Sequence, residues 1–169
     1  MTVRDLMPRF LALGEGHAGC GPDHPDTPAP KLLSRVEAFL AEHPALLGDP
    51  SYVEFLRTYA AASISVPDED DERWVAWLPG LIEDDWELIP FTLEGYEVDP
   101  DGFFMVAQLF HQVSKVNLEL GYYVAAGGPS GLYRSVDRAD GSKTRGWYCE
   151  SFVAWLRRFV ELGEAVFEE

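Results

Sequence analysis

The stretch GYYVAAGGPSGLYRSVDRADGSKTRGWYCESFVAWLRRFV, residues 121–160, passes from a strand pattern to a helix pattern, and this change decides the fold. Residues 132–137 and 143–149 are two short β-type runs on either side of Ala139-Asp140-Gly141. A short turn containing glycine between two such runs is typical of a β-hairpin. After the hairpin, Ser151 is a predicted N-cap and Gly163 a predicted stop of a final helix.

Two hydrophobic periods support this division. Offsets of 0, 3, 4, 7 and 8 residues, which are typical of a helix with one buried face, relate Phe152, Trp155, Leu156, Phe159 and Val160. Ahead of the hairpin, residues 116–124 alternate apolar and other residues with a period of two. This alternation predicts a strand that buries one of its faces.

Helices are predicted before the strands. They span residues 3–13, 30–43 and 49–63. Asp49 is the predicted N-cap of the third helix, and Pro50 suits its first turn, where a missing N–H is harmless. The segment GEGHAGCGPDHPDTPAP, between the first two helices, is a predicted loop because of its Gly and Pro content. We interpret residues 1–30 as a helix and loop that either belong to the domain or form an added arm.

The strands come in a block without alternating helices. Besides residues 116–124 and the hairpin, β-branched or aromatic runs occupy residues 63–66, 86–93 and 103–110. Strands in a block favour an antiparallel sheet. The predicted fold class is therefore α+β, with N-terminal helices, a central antiparallel sheet of about four to six strands, and a C-terminal helix packed on the sheet. The 169 residues fit a single domain.

Composition excludes several classes of function. The chain is 47% hydrophobic, as globular proteins are, and no run approaches 18 apolar residues. The N-terminus lacks the continuous apolar region of a signal peptide, so we expect a cytoplasmic protein. The formal net charge is −16, with 29 acids and 13 bases. Nucleic acids and anionic membranes both bind basic surfaces, so neither is an expected partner.

Acids are concentrated with tryptophans in one segment. DEDDERWVAWLPGLIEDDW, residues 68–86, holds eight carboxylates and three of the five tryptophans, and its spacing predicts a short helix over residues 74–78 that ends at Pro79. An acidic field attracts a basic partner, and tryptophan is enriched at binding hot spots. We therefore predict a partner-binding surface made of Asp68, Glu69, Asp70, Asp71, Glu72, Trp74, Trp77, Glu83, Asp84, Asp85 and Trp86. The alternative is that the acids only solubilise the protein and the tryptophans pack on the sheet.

One group of residues has the chemistry of zinc ligands. His17, Cys20 and His24 lie within eight residues, and these residue types bind zinc. A closed zinc site needs a fourth ligand, which His43 or Cys149 could supply only through the fold, and no CxxC pair occurs. We therefore expect no metal and no cofactor.

No catalytic motif is complete. Gly127-Gly128-Pro129-Ser130-Gly131 is similar to a nucleophile elbow, but Leu132 stands where that motif needs glycine, so a turn is the better interpretation. No carboxylate is spaced from His111 in a way that indicates a catalytic pair, so His111 is not a predicted general base. Asp84 and Asp85 could serve acid–base catalysis, although adjacent acids in a charged segment are ordinarily solvated. We therefore expect a protein without catalytic residues.

Two parts of the chain resemble the SUKH superfamily. PSYVEFLRTYAAASISVP, residues 50–67, is similar to the proline-led, Phe-Leu-containing helix and short strand near the start of that domain. Residues 121–160 resemble its strand, glycine turn, hairpin and final helix that opens on Ser-Phe. The resemblance covers residues 50–160, the SUKH-like core, and departs from the family at Ala60-Ala61-Ala62, where a glycine is common.

The resemblance implies a non-enzymatic α+β domain. Many members of this superfamily are immunity proteins that bind and neutralise a cognate bacterial toxin, often a nuclease. Nucleases carry basic clefts for phosphate backbones, so an acidic inhibitor surface suits them. The implied partner is a basic toxin domain, and no site residue transfers from the family. An adaptor or regulatory domain of the same fold, and a small hydrolase or metal-dependent enzyme, remain as alternatives.

Overall fold

The fold is α+β, as the sequence predicts. The computed structural model describes residues 1–18, 29–67, 73–78, 99–111, 119–125, 130–138 and 140–168. Its helices are α1 (Val3–Leu11), α2 (Ala29–Glu42), α3 (Pro50–Tyr59) and α4 (Phe152–Leu162), with short 3₁₀ segments at Pro44–Gly48 and Gly163–Glu168. Its strands are β1 (Glu15–Ala18), β2 (Ala62–Pro67), β3 (Arg73–Leu78), β4 (Phe103–His111), β5 (Glu119–Ala125), β6 (Leu132–Asp137) and β7 (Lys143–Cys149).

Seven described strands form one antiparallel sheet in the order β1-β2-β3-β4-β5-β6-β7. The sheet is larger than predicted partly because β1 lies in the segment that the Gly and Pro content predicts as a loop. The glycines serve close packing instead. A Cβ at Gly14 would lie 2.5 Å from the Ser65 carbonyl oxygen, and one at Gly16 would lie 2.5 Å from the Leu11 carbonyl oxygen. Glycine therefore lets β1 approach both β2 and α1.

The predicted helix over residues 74–78 is wrong, because these residues belong to β3. Pairing with β2 on one side and β4 on the other fixes the extended backbone. A spacing of three residues puts two tryptophans on one face of a helix but on opposite faces of a strand. Trp74 is accordingly 2% exposed and packs edge-on against Phe159 of α4, with ring centroids 5.7 Å apart. Trp77 lies on the other face, where its ring contacts Phe110.

The helices pack on the face of the sheet that carries Trp74. On this helix face, Phe104 contacts Phe39 of α2, and Tyr122 contacts Trp155 of α4. The apolar residues of α1 are buried with them, and its Phe10 ring contacts α4. α1 is thus an integral part of the core. Among the described residues, no helix is long and apolar enough to cross a membrane.

A single buried carboxylate joins the N-termini of α3 and α4. Asp49 Oδ1 accepts hydrogen bonds from the Ser51 and Tyr52 N–H groups, at 3.0 and 3.2 Å, as the predicted N-cap of α3. Its Oδ2 accepts from the Phe152 N–H at 2.6 Å. The next two N–H groups of α4 donate to Ser51 Oγ and Ser151 Oγ. Three side chains thereby satisfy backbone donors that a helix cannot satisfy internally.

Candidate functional site on the aromatic face of the sheet

The sheet face opposite the helices is rich in aromatic side chains. Paired residues on antiparallel strands point to the same side, so the register defines this face. We call it the aromatic face, and its aromatic side chains and their neighbours are Trp77, Phe103, Met105, Phe110, Tyr123, Tyr133, Arg145 and Trp147. The same register places Val75, Gln108, Glu119, Asp137 and Lys143 on this face. Its aromatic side chains are half-buried, apart from the more exposed Trp147. Partly exposed aromatic side chains grouped on one face make this face the candidate binding surface.

Trp147 is the most exposed aromatic side chain of this face. It lies on β7, which is an edge strand of the sheet, and is 58% exposed. Its indole lies over Gly131, where an added Cβ would be 2.6 Å from the indole Nε1. Gly131 also has a φ of 112°, which favours glycine. The glycine therefore provides the space in which the exposed indole lies against the start of β6.

Arg145, also on β7, extends over the aromatic face and contacts side chains of β4 and β5. Its guanidinium carbon is 4.4 Å from the ring centroid of Phe103 and 4.4 Å from that of Tyr123. Its Nη2 is 2.9 Å from Asp99 Oδ2, and its Nη1 is 3.9 Å from Asp101 Oδ2. The side chain is only 15% exposed. Arg145 is thus held by two rings and two carboxylates, an environment that suits the flat, delocalised guanidinium.

The ring of Tyr123 lies along its own strand over Gly121. A Cβ added at Gly121 would be 2.6 and 2.9 Å from two ring carbons of Tyr123 and 2.7 Å from its hydroxyl oxygen. Glycine at this position lets the ring lie flat on the sheet and contact Arg145. Burial raises the pKa of Tyr123, so its hydroxyl is neutral at physiological pH.

Asp99 holds the turn that places both carboxylates beside Arg145. Its Oδ1 accepts hydrogen bonds from the N–H groups of Asp101 and Phe103, at 3.0 and 2.8 Å. Partial burial alone would raise the pKa of Asp99. The Phe103 N–H and the Arg145 guanidinium outweigh this effect and lower the pKa below its ordinary value of 3.8. The turn is therefore stabilised by the charged form of Asp99.

Replacing Arg145 is expected to change the acid sensitivity of the fold. Because the folded-state pKa of Asp99 is depressed, its ionisation stabilises the protein above about pH 4 and stops doing so as pH falls through the folded pKa. In Arg145→Met, the stability deficit relative to the parent should be largest near pH 6 and shrink below pH 3.8. Urea unfolding between pH 6 and pH 2.5 measures it. A deficit of constant size would contradict this role of Asp99. The control is Arg145→Met made in the Asp99→Asn background, where most of the pH dependence of its deficit should disappear.

A cavity opens beside Arg145 on the aromatic face. Its volume is about 470 Å³, and its lining is Asp101, Phe103, Tyr133, Lys143, Arg145 and Gly146. The Phe103 and Tyr133 rings contact each other edge-on, with centroids 5.2 Å apart. Lys143 Nζ lies 3.4 Å from Asp137 Oδ2 on the neighbouring strand. The Asp101 side chain is 82% exposed, so its carboxylate is accessible at the rim.

The structure separates the residues of the sequence-predicted partner surface. Trp74 belongs to the core, as the alternative interpretation of the tryptophans holds, whereas Trp77 lies half-buried on the aromatic face. The remaining residues of that surface, at 68–72 and 83–86, lie outside the described residues. Trp74 is therefore unsuited to contact a partner, and Trp77 is compatible with contact.

The candidate zinc ligands are not brought together within the described residues. His17 lies on β1, whereas Cys20 and His24 fall outside the described ranges. In the part of the chain that the structure describes, no three His, Cys, Asp or Glu side chains are placed to hold a metal ion. Burial raises the pKa of the Cys149 thiol to about 11, so it is neutral at pH 7 and suits neither nucleophilic attack nor metal binding.

The sequence does carry a signal for the aromatic face, in the form of adjacent aromatic residues. Phe103-Phe104, Tyr122-Tyr123 and Trp147-Tyr148 are such pairs. Successive side chains of a strand point to opposite faces, so each pair can place one ring on each side of the sheet. Three pairs on different strands therefore indicate a sheet with aromatic residues on both faces.

Comparison with known proteins identifies no relative, so the functional assignment depends on the features of the chain itself. No family model matches the chain, and no curated protein or solved structure is found to be similar to it. The fold and the site define an α+β domain whose helices cover one sheet face and whose other face presents aromatic side chains around an arginine.

Proposed function

We propose that this chain is a protein-binding domain, and that it acts as a cytoplasmic immunity protein that neutralises a basic bacterial toxin. The observation that carries the proposal is the aromatic face, with the exposed Trp147 at its edge, in a chain of net charge −16. Aromatic residues and arginine are enriched in protein–protein interfaces, and tryptophan dominates hot spots. Net negative charge disfavours the phosphate backbone of nucleic acids and favours a basic protein.

The distribution of acids supports a basic partner. Residues 68–72 and 79–98 together hold eleven acids and no lysine or arginine. The second stretch follows β3 and ends at Asp99, whose carboxylate is bound by Arg145 on the aromatic face. In the sequence, this stretch is therefore adjacent to a residue that Arg145 binds. Several exposed acids near an interface raise the rate of association with a basic protein, while a central ring slows dissociation.

The resemblance to the SUKH superfamily gives the proposal its particular form. The proline-led helix of that resemblance is α3, and the hairpin and Ser-Phe helix are β6, β7 and α4. The same motifs imply the toxin-neutralising role, which makes the product of an adjacent gene the first partner to test. An adaptor of the same fold would use the same face without such a neighbour.

Binding kinetics against the purified product of the adjacent gene test the proposal. Trp147→Ala is expected to speed dissociation at least about 30-fold, since truncating an aromatic anchor costs about 2 kcal/mol or more. Changing Asp68, Asp70 and Asp71 together to Asn should slow association and flatten its dependence on salt. When the toxin is coexpressed, the parent protein should protect the cells, and each of these variants should protect them less.

A matched control is Leu47→Ala, which truncates another exposed apolar side chain, away from the sheet. It should bind like the parent. If folded Trp147→Ala and the triple Asn variant also bind and protect like the parent, then neither the aromatic face nor the acids form the interface. If the adjacent gene product does not bind the parent protein, the immunity function is wrong.

A further inference from the structure

We infer that the cavity beside Arg145 accepts an arginine or lysine side chain of the protein partner. The inference rests on the proposed function, because it names the chemistry that the aromatic face would recognise. The cavity volume of about 470 Å³ lies within the roughly 300–1,000 Å³ range of pockets that hold small groups. It is therefore large enough for a long side chain that enters from a bound protein.

The aromatic face already binds one guanidinium group, which belongs to the chain itself. Arg145 lies 4.4 Å from the centroids of Phe103 and Tyr123 and is paired with Asp99. The neighbouring cavity repeats these elements, since it has the Phe103 and Tyr133 rings in its wall and the Asp101 carboxylate at its rim. Rings next to an accessible carboxylate attract a cation through both the ring quadrupole and charge.

The charged residues that line the cavity are Asp101, Lys143 and Arg145, and both cations have carboxylate partners that lie outside the lining. Arg145 is paired with Asp99, and Lys143 lies 3.4 Å from Asp137. Asp101 lies farther from Arg145, at 3.9 Å, and its side chain is 82% exposed. Three carboxylates thus face two cations, and the carboxylate of Asp101 is the one with the weakest pairing. A partner cation would complete this arrangement without displacing Arg145.

Lys143 and Asp101 have opposite charges, so variants of the two residues test whether the occupant of the cavity is a cation or an anion. A cationic occupant is repelled by Lys143 and attracted by Asp101, whereas an anionic occupant would respond in the opposite way. For the adjacent gene product, Asp101→Asn should weaken binding by up to about fivefold, the upper range for an exposed ion pair. Lys143→Gln should strengthen binding by a similar factor. Glu161→Gln, which makes the same charge change on the exposed side of α4, should leave binding unchanged.

Tyr133 separates the role of the ring from that of the hydroxyl. Tyr133→Phe keeps the ring beside the cavity and should bind the partner like the parent. Tyr133→Ala should weaken binding by more than tenfold, because it removes a ring of a buried interface. Thermal unfolding of each variant shows whether the protein is folded under the conditions of the binding measurement.

A second measurement needs no partner protein. Acetyl-Gly-Arg-Gly-amide and acetyl-Gly-Glu-Gly-amide are titrated into the folded protein, and the amide signals of Tyr133 and Arg145 and the indole signal of Trp147 are followed by NMR. The arginine peptide should shift these signals saturably, and Asp101→Asn should reduce its affinity. Preference for the glutamate peptide, absence of saturable shifts, or shifts unaffected by Asp101→Asn would overturn the inference.

The two measurements distinguish failure of the cavity from failure of the proposed function. Saturable binding of the arginine peptide together with no binding of the adjacent gene product would leave the cation site standing and remove the immunity function. Tight binding of that product, unaffected by the Asp101, Lys143 and Tyr133 variants, would support the proposed function. It would show that the cavity does not bind a side chain of the partner.

Discussion

Asp49→Ala is expected to lower the free energy of unfolding by about 2–4 kcal/mol, more than the loss of an ordinary helix cap. The substitution removes the N-cap of α3, worth about 1 kcal/mol. It also leaves the buried N–H group of Phe152, at the start of α4, without its acceptor, which costs about 1–3 kcal/mol. Urea unfolding followed by far-ultraviolet circular dichroism measures the change.

Two further variants isolate the double role of this carboxylate. Ser151→Ala removes a side chain that caps α4 alone, so it should cost only about 1 kcal/mol. Asp49→Asn retains one carbonyl oxygen but offers an amide group in place of the second acceptor, and should fall between the two. A cost of Asp49→Ala no larger than that of Ser151→Ala would show that the bond to Phe152 contributes no stability.

Trp155→Ala should destabilise the fold by about 3–5 kcal/mol, the range for removing a large buried ring. Trp155 is fully buried between α4 and the sheet. The centroid of its ring lies 5.2 Å from the ring centroid of Tyr122, 5.6 Å from that of Phe152 and 5.5 Å from that of Phe159. The same urea measurement gives the loss.

Trp147→Ala is the matched control for Trp155→Ala, because it also removes a tryptophan, but one that lies on the sheet face opposite the helices. Its cost should be about 0.5 kcal/mol, as for other surface substitutions. Trp155→Phe should cost less than Trp155→Ala, since it keeps a ring and the indole Nε1 has no hydrogen-bond partner among the described residues. Equal losses at Trp147 and Trp155 would contradict the assignment of the two sheet faces.

Local sequence signals were sufficient for most elements. Asp49 and Ser151 mark helix starts because their side-chain oxygens accept from N–H groups two or three residues further along the chain, and Gly163 marks a helix end through its positive φ. The hairpin of β6 and β7 likewise depends on one short turn. Such features are predictable because the residues that stabilise them are neighbours in the chain.

β1 and β3 were not predictable in the same way. The extended backbone of β1 depends on β2, which is more than forty residues distant in the chain, and that of β3 on two partner strands. The spacing of Trp74 and Trp77 fits an amphipathic helix equally well, so only strand pairing decides between them.

The aromatic face was predictable only in part. Adjacent aromatic pairs indicate rings on both sides of the sheet, but they do not show which polar residue joins them. Asp99, Phe103, Tyr123 and Arg145 come from a turn and three strands. Their contacts arise from the register of β4 to β7, which the hydrophobic period does not specify. The residues of the acidic segment carry charge that the sequence shows directly, and their role in partner binding stays a prediction.

The order of the sheet has a consequence for how the chain folds. All hydrogen-bonded strand neighbours are consecutive among the described strands, but the loops to be closed differ greatly in length. The β6–β7 hairpin joins Asp137 to Lys143, whereas pairing of Ala18 with Ala62 encloses α2 and α3. Closing a longer loop costs more chain entropy, and distant contacts form more slowly. We therefore expect the hairpin to form early and β1 to be the last strand to pair, so that the edge of β2 stays open until late in folding.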